Sequence, residues 1–302
     1  MRAVVTGGAG FIGSHLVDAL VARGDEVSVL DNLATGERER VNGAAAFREG
    51  DIRTDAAALF AEARPDAVFH LAAQADVGTS VERPDYDAEV NVVGTVRVLE
   101  AARAAGAQVV FASTGGAIYG ECDEGPATED APRRPISPYG MAKLCAEEYI
   151  AGWNRLHASG HVALRFANVY GPRQAASLEG GVVAIFLERL AAGDGARIFG
   201  DGEQTRDFVF VGDVVAALLA AVGHDGGVYN VGTGVETSVN GLHLACRRAA
   251  GIDLEPSYAP ARPGDVHRSV IDPTRAGREL GWRAATGLDD GLAQTWAWTT
   301  GG

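Results

Sequence analysis

The sequence has no apolar run long enough to span a bilayer, no repeats, no low-complexity tract and no long linker. Its start reads directly as an apolar strand rather than as a basic segment followed by a signal core, so neither a membrane span nor a secretory leader is expected, and the cytoplasm is the predicted location. Positive charge is scarce: 26 Lys and Arg stand against 40 Asp and Glu, a formal net charge of -14. Coating a phosphate backbone takes clustered Lys and Arg, so no nucleic-acid partner is expected and a small molecule is favoured. Cysteine is nearly missing. Cys122, Cys145 and Cys246 have neither zinc-site spacing nor an even count, which predicts free thiols in a reducing compartment and no metal.

What the chain does carry begins with Thr6-Gly7-Gly8-Ala9-Gly10-Phe11-Ile12-Gly13. A glycine pattern alone says little, but Arg2 to Thr6 reads as a short apolar strand and Phe11 to Ala22 as a helix with apolar residues at helical spacing. In that order the glycines allow a tight turn and let a pyrophosphate approach the amides at the helix N-terminus, where the helix dipole favours negative charge. A second strand, Glu26 to Leu30, runs into Asp31, 18 residues past Gly13. A carboxylate there can accept both ribose hydroxyls of NAD and repels the 2′-phosphate of NADP. Much further on, Tyr139 and Lys143 stand four residues apart. On a helix they share a face, where a fixed positive charge is expected to lower the Tyr139 pKa and make the phenolate a usable base.

Strand and helix alternate through the first half, with strands at Arg2 to Thr6, Glu26 to Leu30, Ala44 to Glu49, Ala67 to Leu71, Gln108 to Ala112 and Val162 to Phe166. This predicts an α/β protein with a doubly wound parallel Rossmann sheet over 1–167. Residues 168–302 are expected to form a smaller α/β substrate domain, with helices at Gly181 to Ala192, Asp213 to Val222 and Val239 to Ala250. Strands near 206–211 and 228–231 are expected to return to the main sheet. His70 ends a buried strand and reads as a core hydrogen-bonder.

Further stretches extend the pattern: Asp31-Asn32-Leu33, Asp51-Ile52, His70-Leu71-Ala72-Ala73-Gln74, Asn91-Val92-Val93-Gly94-Thr95, Ser113-Thr114, Arg165 to Gln174, Gly200-Asp201-Gly202, Thr205-Arg206-Asp207 and Arg262-Pro263-Gly264-Asp265. With the glycine turn and the Tyr139–Lys143 pair, they make nearly the whole chain resemble the extended short-chain dehydrogenase/reductase family, and most of all its bacterial UDP-glucose 4-epimerase branch. The resemblance implies NAD as cofactor. Gly7, Gly10, Phe11, Ile12 and Gly13 would face the pyrophosphate, Asp31 and Asn32 the adenosine ribose, and Asp51 and Ile52 the adenine. Leu71, Ala72, Ala73, Asn91, Ser113 and Phe166 would line the rest of the groove down to Tyr139 and Lys143. A UDP-sugar would be held by Asn168, Arg206, Arg262 and Asp265, and Thr114, which precedes Tyr139 by 25 residues, would share the substrate hydrogen bond. Ser269 would sit beside the sugar's 2-substituent as a small gatekeeper. Two long helices, roughly Asp87 to Ala104 and Tyr139 to Arg155, would pack against a second copy in a homodimer.

The sequence departs from the family pattern at Ala75, where enterobacterial epimerases have a lysine near the nicotinamide ribose. After Thr114, dehydratases of the group carry acids for proton transfer and the decarboxylases keep a Glu; here stand Gly115 and Gly116. Elimination of water and acid-assisted decarboxylation therefore lack their expected group. Reversible oxidation at C4 of a UDP-hexose needs none, and C4 epimerisation of UDP-glucose and UDP-galactose through a 4-keto sugar is the expected activity. An epimerase of UDP-GlcNAc or UDP-glucuronate, a net nucleotide-sugar oxidoreductase, and a catalytically silent NAD-binding protein remain as alternatives.

Overall fold

The computed structural model describes residues 1–122, 125–176, 181–261 and 266–301. Seven parallel strands form the main sheet: β1 (Arg2–Thr6), β2 (Glu26–Asp31), β3 (Ala46–Glu49), β4 (Ala67–His70), β5 (Gln108–Thr114), β6 (Val162–Phe166) and, much later in the chain, β10 (Gly227–Val231). Their order is β10-β6-β5-β4-β1-β2-β3, so the winding reverses between β1 and β4. In such sheets ligands bind beyond the carboxyl ends of the strands at that reversal.

Alternation along the strands explains the layers. Ala3 and Val5 of β1 and Val27 and Val29 of β2 join one core with Leu16, Val17 and Leu20 of α1 (Phe11–Ala22). Val4, Leu30, Val68 and Phe111 face the opposite core, with Leu59 and Phe60 of α2 (Ala56–Ala63). That second layer is completed by α5 (Gly94–Ala105) and α7 (Pro138–His157). Strands covered on both faces read as continuous apolar runs, which is why these segments were legible. Each large apolar side chain so buried contributes about 1.5–3 kcal/mol.

Between β4 and α5 the chain forms α3 (Val77–Glu82), α4 (Pro84–Ala88) and a π-helical turn, Glu89–Val93. The single helix expected over Asp87 to Ala104 is thus interrupted, and the Thr95 hydroxyl donates back to the Asn91 carbonyl at 2.7 Å within the interruption. Short α6 (Gly115–Ile118) follows β5 directly. The remaining elements are β7 (Asn168–Tyr170), α8 (Val182–Ala191), β8 (Arg197–Phe199), β9 (Thr205–Phe210), α9 (Val211–Ala220), β11 (Glu236–Ser238), α10 (Val239–Ala250), β12 (Ser257–Ala259), β13 (Arg268–Ser269), α11 (Thr274–Glu279) and α12 (Leu288–Thr299).

The two strands expected to return to the main sheet part company. The later one, β10, pairs with β6 along its whole length, and α9 packs beside α1 in the same core. The earlier one, β9, instead anchors a separate small sheet with β7, β11 and β13. Tyr170 and Phe210 bury its inner side against α8, α10 and α12. Among the described residues no helix is long and apolar enough to cross a membrane.

Candidate active site

A cleft of about 1110 Å³ opens over the carboxyl ends of β1, β4 and β5 and reaches the small sheet. The glycine turn forms its floor. Gly7 has φ +74°, a left-handed backbone that glycine adopts at little cost, and a Cβ there would stand 2.6 Å from the Ala72 nitrogen. Gly13 is tighter still, since a Cβ would lie 2.1 Å from the Gly7 carbonyl oxygen. Gly10 precedes α1 with no side-chain cap. The first amides of α1 therefore keep their donor capacity for an anion in the cleft.

Asp31 closes this end. Its Oδ2 accepts from the Ala9 amide and its Oδ1 from the Leu33 amide, both at 2.9 Å, so backbone donors fix the carboxylate at the edge of the glycine turn. Asn32, Asp51 and Ile52 continue the wall. Arg53 grips Asp51 through Nε at 2.9 Å and Nη2 at 2.7 Å, and these hydrogen bonds hold the carboxyl below its usual pKa range against the opposing effect of burial.

At the other end, β5 delivers Ser113 and Thr114, and α7 delivers Tyr139 and Lys143 to the same wall. Ser137 caps α7 by accepting from the Gly140 amide at 3.2 Å, and Pro138 occupies the first turn. Tyr139 is thereby fixed at the helix start. Lys143 donates to the Ala112 carbonyl at 2.9 Å and lies 4.7 Å from the centre of the Phe111 ring and 5.9 Å from that of Tyr139. It is also the only lysine in the chain.

One expectation fails here. Helical spacing does bring phenol and ammonium together, yet the Tyr139 pKa is raised, first by burial and then by the Asp87 carboxylate. Burial also lowers Lys143 to about 8, against the opposing pull of Asp87 and Glu147. Desolvation outweighs the attraction of a single ammonium.

Of the residues expected around the cofactor, Gly7, Gly10, Phe11, Ile12, Gly13, Asp31, Asn32, Asp51, Ile52, Leu71, Ala72, Ala73, Ser113, Tyr139, Lys143 and Phe166 all line the cleft. Ala75 lines it too, offering only a methyl. Asn91 does not. Buried in the π turn, it accepts from the Gln74 amide at 3.0 Å and donates to the Gln74 carbonyl at 2.8 Å, so it holds the wall from behind. Asp87 stands beside it, its Oδ1 accepting from Gln74 Nε2 at 3.0 Å and Asn91 Nδ2 at 2.9 Å. Gln74, which lines the cleft, and Asp87, which braces it from behind, are two site residues that sequence reading did not single out.

On the substrate side, Thr114, Asn168 and Arg206 line the cleft. Arg262 and Asp265 lie outside the described residues. Ser269 pairs in register with Arg206 and is 4% exposed, and the wall beside it is formed by Arg206 and Val266. Arg173, a possible partner for a sugar carboxylate, pairs with Asp18 at 2.8 Å and is not part of the wall. His70 is a buried hydrogen-bonder between Thr6 at 2.8 Å and Thr95 at 3.1 Å. Among the described residues no group of three or more His, Cys, Asp or Glu is placed to hold a metal ion.

The family profile described as "NAD dependent epimerase/dehydratase family" matches residues 3–232. The chain belongs to this family. It is 49% identical to the UDP-glucose 4-epimerase of Mycolicibacterium smegmatis, covering 98% of this chain and 97% of that protein. It is 44% identical to a putative UDP-glucose 4-epimerase of Methanocaldococcus jannaschii, covering the same shares. Among solved structures, a UDP-glucose 4-epimerase of Thermotoga maritima with UDP-glucose is similar at TM-score 0.96 and 46% identity, covering 99% of this chain and 98% of the other. A Thermus thermophilus UDP-glucose 4-epimerase in complex with NAD is similar at TM-score 0.94 and 46% identity, covering 100% and 99%. NAD is the cofactor the family's description names, and the glycine turn, the open start of α1 and Asp31 fit it: a cradle shaped by residues without Cβ would face the pyrophosphate, and a carboxylate would face the ribose.

Proposed function

We propose that the protein interconverts UDP-glucose and UDP-galactose by reversible epimerisation at C4, with NAD recycled in place. The observation that carries this reading is the meeting of Thr114, Tyr139 and Lys143 with the glycine turn in one cleft, where Gly115 and Gly116 follow Thr114 in place of acids. Asn168 and Arg206 would hold the UDP half, joined by Arg262 and Asp265. A guanidinium suits phosphate through its paired donors, even on an acidic protein.

Bound NAD would supply the hydride acceptor for C4, a positive charge beside the phenol, and the same hydride on return. Lys143, one turn along α7, is the cation placed behind the phenol to favour its phenolate. With those positive charges favouring its phenolate, Tyr139 in that form takes the proton of the 4-hydroxyl while Thr114 shares that hydrogen bond, and C4, giving up its hydride, becomes a ketone. The 4-keto sugar turns over with its UDP fixed, C4 is reduced on the other face, and Tyr139 returns the proton to the 4-oxygen.

Purified protein given UDP-galactose and no added cofactor should form UDP-glucose catalytically until the two sugars reach equilibrium. Stoichiometric reduction of NAD without UDP-glucose would mark a net oxidoreductase. Conversion of UDP-GlcNAc or UDP-glucuronate alone would move the assignment to another sugar series.

The reading includes a cytoplasmic homodimer. The three thiols are unpaired, in keeping with a reducing compartment. Val98, Leu99 and Ala101 of α5 belong to the core. Yet α7 presents Met141, Cys145, Tyr149 and Leu156 outward at helical spacing, with Met141 53% and Leu156 73% exposed, and Val93 stands exposed on the π turn. An outward apolar stripe on a helix already buried on its other face supports packing against a second copy. Sedimentation at micromolar concentration should return twice the chain mass. Met141→Glu with Tyr149→Lys should return one chain mass, and a wild-type monomer would remove the dimer.

A further inference from the structure

Gly115 and Gly116 follow one another at the start of α6, but only the first is tightly packed. A Cβ on Gly115 would stand 2.9 Å from Ile271 Cδ1 and 3.3 Å from the Phe166 carbonyl oxygen, so its neighbours would have to give way. A Cβ on Gly116 would meet only Asn168 Oδ1 at 3.7 Å and Thr114 Oγ1 at 4.0 Å, which is ordinary van der Waals contact. Its φ lies outside the left-handed range, and in a helix glycine is about 1 kcal/mol less favourable than alanine. Neither backbone nor packing therefore explains the missing side chain. The space it leaves opens into the cleft, between one side chain at the reacting carbon and one on the nucleotide-sugar side.

We propose that Gly116 is a specificity- and rate-determining residue whose missing side chain gives the sugar the room in which it changes face. This rests on the epimerase reading above. A sugar oxygen bonded to Thr114 or Asn168 lies about 2.8 Å from it, so a methyl within contact of both side chains competes for the patch of cleft that the ring sweeps. The first hydride transfer, from C4 to NAD with the 4-hydroxyl proton going to Tyr139, needs only one ring orientation. The second, from reduced NAD to the opposite face with the proton returned, needs the turn. A side chain at position 116 should slow the turn and spare the first transfer.

The test compares wild type with Gly116→Ala and Gly116→Val, using UDP-galactose as substrate and UDP alone as binding probe. Turnover should fall about tenfold in Gly116→Ala and on the order of a hundredfold in Gly116→Val, the scale of loss when reacting groups are misplaced by about an ångström. NAD bound per chain and the Kd for UDP should stay within about twofold of wild type. The near-ultraviolet absorbance of reduced nicotinamide during turnover should rise, because the 4-keto sugar waits longer before reduction. A Gly116→Val protein with wild-type turnover overturns the inference. So does one that loses NAD or UDP along with activity, since the residue would then serve the general shape of the site. A wild-type protein inert toward UDP-galactose, while still binding NAD and UDP, would overturn the epimerase reading itself and this inference with it.

Discussion

Tyr139→Phe should lower kcat for UDP-galactose by about 10²–10⁴, the range for loss of a positioned acid–base group. The ring stays, so NAD and UDP should bind nearly as before. Tyr139 is the group suited to take the 4-hydroxyl proton: it lines the cleft at the capped start of α7, with Lys143 one turn behind it. Thr114→Ala should cost less, because Thr114 shares the hydrogen bond without receiving the proton. Turnover by Tyr139→Phe above half of wild type would require a different base.

Glu147→Ala should destabilise the fold by about 3–5 kcal/mol, the usual consequence of stranding a buried charge. Glu147 and Arg165 are 3% and 2% exposed, joined at 2.6 Å between Oε2 and Nη2 and at 3.0 Å between Oε1 and Nε. Ser113 donates to the same carboxylate at 2.5 Å, and Arg165 continues to the Tyr119 hydroxyl at 2.7 Å. Removing the acid leaves a guanidinium in the core with one side of its hydrogen bonding gone. Ser113 also loses its acceptor next to Thr114. Urea unfolding should show the midpoint falling sharply, and Glu147→Leu with Arg165→Met should recover much of the loss, because an apolar pair of similar volume replaces an ion pair at little net cost. A change below about 1 kcal/mol in Glu147→Ala would show the pair to be incidental.

These two residues also mark the limits of what the sequence conveys. The strands Arg2–Thr6 and Val162–Phe166 and the helix Val239–Ala250 were legible to the residue, because apolar runs and helical periodicity are local signals. The glycine turn and Asp31 were legible because strand, turn, helix and acid succeed one another within a single unit. The partner of a strand is not a local property, so Thr205–Phe210 read as a candidate for the main sheet and belongs to the small one. Buried networks are equally non-local: Glu147 meets Arg165 and Ser113 only once α7 lies against β5 and β6.

The catalytic helix gives the most instructive difference. Spacing of four placed Tyr139 and Lys143 on one face, but the sign of the Tyr139 shift depends on burial and on Asp87 across the packing interface, neither of which spacing reveals. Lys143 could have been singled out more sharply, since no other lysine occurs in the chain. Ser269 shows the reverse case. A position aligned along the chain does not determine how its side chain sits in the fold, and here Ser269 lies in β13 beside Arg206 at 4% exposure.

The central claim is that one hydride leaves C4 and returns to C4 through a cofactor that never leaves the protein. UDP-galactose carrying deuterium at C4, incubated with the protein in ordinary water without added NAD, tests it most directly. The account predicts UDP-glucose that retains the deuterium at C4 over many turnovers. Replacement of the label by hydrogen from water, or its recovery in reduced nicotinamide released to solution, would contradict it.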